Sequence, residues 1–321
     1  YSLETGMFDV YLTKLDLREN SILENPISVS QRFVGFNLSP DWSFDGKYLS
    51  YLSRRCLLQG DWRYPDARIV VRVLETGEER EIAPKLKSFA LPCWSPDGRF
   101  FLAVGRDLNG LRGVFKIDSK SGNTETIFML KPLTNVWGLI WSPDGKAIFY
   151  RRKDFSGTSI TFIRRDLASG HEQELFRTLS PDRFYSPGLS RDGQYVAFLL
   201  EDVKAGTQAI HIMPSTGGES RQLLQVETPT IFVKEKALVW TPDDQQILFV
   251  KNVGTESDKQ TLALMSISVK GGEPRKLGPM MDHVRELSLH PNGTSLVYTA
   301  GQRNFEVWAM EDFLPESIAA E

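Results

Sequence analysis

Four histidines, His171, His211, His283 and His290, are the side chains of this chain best suited to proton transfer or metal ligation near neutral pH. They fall in unrelated places: His171 on a glycine turn, His211 in a β-branched run and His290 inside a Pro-Asn-Gly corner. That scatter predicts ordinary surface and turn histidines, not a metal cluster. Serine hydrolysis by an α/β-hydrolase needs a Gly-x-Ser-x-Gly elbow, which the sequence does not contain. Gly217-Gly218 and Gly271-Gly272 carry no Walker or dinucleotide fingerprint and read as hairpin turns. No catalytic residue is assigned. For binding, the candidates are Asp41, at the mouth of an inner strand, and Trp62 and Tyr64 in the loop 57–67. Exposed aromatics of this kind anchor interfaces. A carboxylate such as Asp41, with backbone carbonyls, would also suit calcium, a hard cation; no other cofactor is expected.

The elements that carry these residues are written as an internal repeat. Trp42-Ser-Phe-Asp-Gly46, Trp94-Ser-Pro-Asp-Gly98, Trp141-Ser-Pro-Asp-Gly145, Leu189-Ser-Arg-Asp-Gly193, Trp240-Thr-Pro-Asp-Asp244 and Leu289-His-Pro-Asn-Gly293 recur about every 50 residues. Each is followed by an alternating apolar run such as Ala147-Ile-Phe-Tyr150. Proline presets φ, Asp tolerates the bridge region and Gly takes positive φ, so the motif is the corner of a β-hairpin. The preceding Ser or Thr is placed to bond back to the turn's free amides. The Trp or Leu before it is placed to fill the space between adjacent sheets. A second repeat, out of phase, runs through Leu74-Glu-Thr-Gly77, Ser119-Lys-Ser-Gly122, Leu167-Ala-Ser-Gly170, Ser215-Thr-Gly-Gly218 and Val269-Lys-Gly-Gly272. It supplies a third strand, a glycine turn and a fourth strand. Four short antiparallel strands per unit predict an all-β propeller of four-stranded blades. Six complete units and a partial N-terminal one follow, in a six- or seven-bladed ring formed by a single domain over 1–321.

The ends leave two closures open. Phe8-Asp-Val-Tyr-Leu12 resembles a third strand and Ile22–Ile27 a fourth, with no corner ahead of them; Asn304–Met310 resembles a third strand with a short tail. Either the N-terminal segment completes the last unit of a six-bladed ring, or it is the remainder of a seventh unit. The phase of the repeat favours the second.

Composition bounds the partners. The net charge is −3 with Lys and Arg scattered, which argues against the concentrated basic face of a nucleic-acid binder. No apolar run reaches the 18 residues of a membrane span, so no membrane insertion is expected. Cys56 and Cys93 are the only cysteines, too few for a disulfide framework, and read as buried apolar fillers. Glu78, Glu79, Glu172 and Glu174 read as solvated charges that protect outer strand edges. The chain begins at Tyr1 with no basic or apolar leader pattern, compatible with an upstream segment.

These corners resemble the TolB-like propeller repeat, whose Trp-Ser-Pro-Asp-Gly-Lys signature is matched without change at 141–146. The resemblance covers about residues 38–300 strongly and implies a module of a multidomain bacterial protein, periplasmic or otherwise extracytoplasmic. It implies a monomeric, non-catalytic binding module for a protein or peptide partner, or a sensor domain. The same blades resemble the substrate-gating propellers of prolyl-oligopeptidase-like peptidases, whose catalytic domain this chain would then lack. Some propeller lyases of similar fold hold a metal on channel histidines, which here would require His283 and His290 to converge with others.

Overall fold

The computed structural model describes residues 2–30, 36–54, 67–155, 158–227, 231–254 and 261–307, with side chains from 8 to 301. Its unit of construction is the corner. The Ser43 hydroxyl donates to Asp45 Oδ1 (2.6 Å) and accepts the Tyr48 amide (2.9 Å), while Asp45 Oδ1 also accepts the Lys47 amide (3.0 Å). Gly46 lies at φ 73°, where a Cβ is resisted. The same clasp recurs at Ser95 and Asp97, Ser142 and Asp144, Ser190 and Asp192, and Thr241 and Asp243. In the last unit His290 Nδ1 replaces the hydroxyl as acceptor, taking the Asn292 amide at 3.1 Å.

The strands are β1 (Ser2–Asp16), β2 (Ser21–Ile22) and β3 (Ile27–Ser28), followed by β4 (Phe36–Trp42), β5 (Tyr48–Arg54), β6 (Ala67–Val73) and β7 (Glu79–Ile82). Next come β8 (Ser88–Trp94), β9 (Phe100–Arg106), β10 (Arg112–Asp118), β11 (Thr124–Met129), β12 (Thr134–Trp141), β13 (Ala147–Asp154), β14 (Ser159–Asp166) and β15 (Glu172–Leu179). The remainder are β16 (Arg183–Leu189), β17 (Tyr195–Asp202), β18 (Thr207–Pro214), β19 (Arg221–Glu227), β20 (Leu238–Trp240), β21 (Gln246–Asn252), β22 (Leu262–Ser268), β23 (Arg275–Pro279), β24 (Arg285–Leu289) and β25 (Ser295–Val307). All are β, and no helix occurs among the described residues. The first strand of each repeat touches the first strand of the next in the order β4, β8, β12, β16, β20, β24 and back to β4. The corners therefore ring one axis, as a propeller requires.

The expected count of six or seven blades is corrected. Four blades stand alone as four-stranded sheets: β8–β11, β12–β15, β16–β19 and β20–β23. The other nine strands form one sheet, because β1 pairs antiparallel with β25 from Ser2↔Val307 to Lys14↔Ser295 and meets β4 through the single parallel pair Phe8↔Phe36. The N-terminal segment thus joins the last repeat and does not begin a seventh, contrary to the phase of the repeat. β25 is one continuous strand of 13 residues, so the described part of the segment expected as a separate third strand, 304–307, prolongs the second, and the rest of it lies outside the described residues. β2 and β3 are short pieces on the outer edge of β1.

Alternating side chains pack between neighbouring units. Trp94 joins Leu52, Ile69 and Val71 to Phe101, and Trp240 joins Ile210 and Ile212 to Phe249. Trp141, expected to fill the space between adjacent sheets, packs beside Leu102, Val136 and Ile148 and is only partly buried. Its ring also lines the channel.

Candidate functional site

The first strands bulge. Register breaks fall after Leu38, Ala90, Trp137, Tyr185 and Arg285. The residues concerned, Ser39, Leu91, Gly138, Ser186 and Glu286, have φ between 48° and 61°. Bulges of this kind re-aim the neighbouring side chains, here around a channel of about 270 Å³ that reaches from Asp41, Cys93 and Lys236 up to the corners.

At its floor Asp41 gathers four strands or their approaches. Its Oδ2 accepts the Trp94 amide (2.9 Å), and its Oδ1 accepts the Ser288 hydroxyl (3.4 Å) and the Lys236 ammonium (3.4 Å). Burial pulls the Lys236 pKa down, but Asp41, with Cys93 and Glu286, outweighs it and leaves the value raised. Burial, aided by Asp41, pushes the Cys93 thiol up to about 12, so it stays protonated; Cys93 is a free thiol. Beside them Glu286 is buried and satisfied by the Ser39 amide (2.7 Å), the Ser39 hydroxyl (3.1 Å) and the Thr299 hydroxyl (2.9 Å).

At the mouth, the third residue of every corner faces the channel: Phe44, Pro96, Pro143, Arg191, Pro242 and Pro291. Arg191 crosses it. The guanidinium lies 5.0 Å from the Phe44 ring centre and donates to the Pro291 carbonyl at 3.4 Å, linking three corners. Asp244 replaces the corner glycine, and its carboxylate accepts the Arg191 (2.7 Å) and Asp192 (2.9 Å) amides of the adjacent corner.

Asp41 therefore lines the channel, where its charge is met by a lysine. Trp62 and Tyr64 lie outside the described residues. The Asp41 carboxylate, the candidate for a channel cation, is already taken by the Trp94 amide, the Ser288 hydroxyl and the Lys236 ammonium. No group of three or more His, Cys, Asp or Glu side chains is placed to share an ion among the described residues. His290 Nε2 donates to the Gly46 carbonyl (2.9 Å) while Nδ1 accepts from Asn292, so both nitrogens are engaged. His211 is on a third strand near Ser220, and His171 and His283 are exposed in separate turns. The acidic turns are also corrected in part. Glu79 accepts the Tyr51 hydroxyl (3.2 Å) and Arg72 (3.3 Å), and Glu172 accepts Tyr150 (2.6 Å), Arg152 (2.7 Å) and Arg165 (2.9 Å). Arg191 and Lys236 were the residues sequence reasoning missed. Arg191 carries a faint signal, being the only charged residue at a position that is proline in four corners.

Among solved structures the chain is similar to a provisionally assigned TolB from Agrobacterium tumefaciens, at 17% identity and TM-score 0.65, covering 92% of this chain and 99% of that one. It is similar to an oligogalacturonate lyase in complex with manganese at 17% identity and TM-score 0.56, covering 80% of this chain and 71% of that one. A periplasmic gluconolactonase of Pseudomonas aeruginosa matches at 10% identity and TM-score 0.53, covering 94% and 99%. At these identities the likeness is one of fold, which hosts both binding and catalysis. A comparison with curated proteins gave no match. The TolB β-propeller domain model matches residues 24–266, three quarters of the length, and the chain belongs to that family.

Proposed function

We propose that this protein is a non-catalytic binding module that takes a peptide segment of a partner protein at the corner face, over the channel mouth. The observation that carries the reading is Arg191 held across that mouth on the half-exposed Phe44 ring. An aromatic face and a guanidinium beside an apolar proline rim offer stacking and a carboxylate-pairing fork in one place. The channel floor supports binding over catalysis, since Asp41 is paired with Lys236 and the nearby thiol is held protonated. An extracytoplasmic setting accords with this reading, one similar structure being a periplasmic gluconolactonase.

The test is selection of peptides on the whole chain from a displayed library, followed by titration of the enriched sequences. Binding that drops at least about tenfold in Arg191→Ala and Phe44→Ala, with melting temperature unchanged, is the expected result. Peptides that bind these variants as well as the parent would remove the mouth from consideration. Turnover of oligogalacturonate or a gluconolactone, with or without manganese, would overturn the non-catalytic reading.

A further inference from the structure

Antiparallel pairing sends the corners to one face of the disc and the turns between second and third strands to the other, together with the connectors between units. On that second face several large apolar side chains stand in water, four of them on neighbouring loops: Leu108 (73% exposed), Leu111 (59%), Leu133 (68%) and Phe155 (54%). They sit on successive loops that touch. The Leu130 amide donates to the Arg112 carbonyl (2.8 Å), which ties the connector carrying Leu133 to the turn carrying Leu108 and Leu111. The Phe155 amide donates to the Leu133 carbonyl at 2.8 Å. Scattered single exposed leucines need no explanation, but four on contiguous loop tips form a patch.

Each apolar tip is flanked by cations. Arg106 and Arg112 bracket the 107–111 turn, and Lys87 is bonded to it through the Arg106 carbonyl (2.9 Å). Lys131 precedes Leu133, and the Lys153 ammonium lies 5.4 Å from the Phe155 ring centre. The acids on these loops are fewer, Asp107 and Asp154, and Asp107 Oδ1 already accepts the Leu111 amide at 2.8 Å. The patch is therefore apolar at its tips and positive around them, although the whole chain carries a net charge of −3.

We infer that this second face docks peripherally on an anionic phospholipid surface. Leu108, Leu111, Leu133 and Phe155 would enter the headgroup boundary while Lys87, Arg106, Lys131 and Lys153 stay at the level of the phosphates. Such a surface demands no shape complementarity, only apolar insertion and basic charge beside it, and that is what separate loop tips supply. No membrane-spanning segment is involved. The site is distinct from the channel mouth, which lies on the opposite face, and does not depend on the peptide reading.

The experiment is co-sedimentation of the whole chain with vesicles of phosphatidylcholine alone and with about 30% phosphatidylglycerol. Binding is expected to the anionic vesicles, weakening with added salt. Leu133→Ser with Phe155→Ser should lower the partition coefficient at least about tenfold, and Lys131→Gln with Lys153→Gln about five- to twentyfold. Because the first pair adjoins one loop, Leu108→Ser with Leu111→Ser repeats the test on another, and melting temperature confirms each fold. The inference is overturned if the parent binds neither vesicle, or if all three double variants bind as the parent does. Capture by poly-glutamate with no vesicle binding would equally overturn it, and would assign the face to an acidic polypeptide.

Discussion

Tyr51, Tyr150 and Tyr298 hold the same place in their units, nine residues after the Trp or Leu of the corner, yet they are not equivalent. Tyr150 donates to Glu172, whereas the Tyr298 hydroxyl is buried with no hydrogen-bond partner among the described residues. Removing a hydroxyl that bonds a carboxylate costs about 1.5 kcal/mol or more, while removing an orphan costs little. Urea denaturation should accordingly show Tyr150→Phe less stable by about 1.5 kcal/mol and Tyr298→Phe within about 0.5 kcal/mol of the parent. The corner carboxylates give a pH dependence. The Ser142 hydroxyl and the Lys146 amide hold Asp144 below the ordinary aspartate value of 3.8. At Asp97 burial works the other way, but the Ser95 hydroxyl and the Arg99 amide outweigh it. A carboxyl whose pKa is depressed on folding stabilises the fold above its unfolded value, and that contribution is lost as pH falls through the folded one. Melting temperature should therefore decline below about pH 4, and Asp97→Asn with Asp144→Asn should flatten that decline while lowering the plateau near neutrality. An unchanged acid profile in the double variant would show that the clasps do not couple to folding.

At the scale of the element, the corner strand and its bulge do the positioning. Trp42 is almost wholly buried, and its indole donates to the Ser288 carbonyl of the preceding unit at 3.1 Å. The Trp141 indole nitrogen has no partner among the described residues and the residue is only partly buried, on the channel wall. Trp42→Ala should cost about 3–5 kcal/mol and Trp141→Ala distinctly less, a difference that chemical denaturation of the two variants resolves. Equal losses would mean that the channel wall packs as tightly as the core. The hairpin elements were legible because their signals are local: Ser, Asp and Gly within five residues make the clasp, and the run after them alternates. The bulges were not, since Ser39, Leu91, Gly138, Ser186 and Glu286 are of four residue types and share only a position. Asp41 could be placed from the strand it opens onto, but Lys236 lies 195 residues away and outside the repeat motif. Only closure of the ring brings the two together. Glu79 and Glu172 were misread for a related reason, because a charged turn looks solvated until the tyrosine and arginines of the inner strands reach it.

For the whole molecule the decisive contact is β1 against β25. A ring of sheets has no exposed inner edge except where the chain begins and ends, and there an uncovered strand would present a row of free amides and carbonyls. β1 covers β25 along its length and supplies Val10 to the apolar cluster that holds Val297 and Leu15 to the one that holds Leu296. The register of this pairing was not readable, because no corner joins the two strands and the repeat phase pointed elsewhere. Removing residues 1–16 should do two separable things. It should lower stability by several kcal/mol through lost burial in both clusters, and it should open the β25 edge to other copies. Sedimentation velocity is expected to show concentration-dependent self-association of the shortened chain where the parent stays monomeric. Adding a synthetic peptide of residues 1–16 should restore the monomer, since the same strand offered in trans fills the same edge. A shortened chain that remains monomeric and melts with the parent would mean that the ring holds without its N-terminal strand, and that the long β1–β25 ladder serves something other than closure.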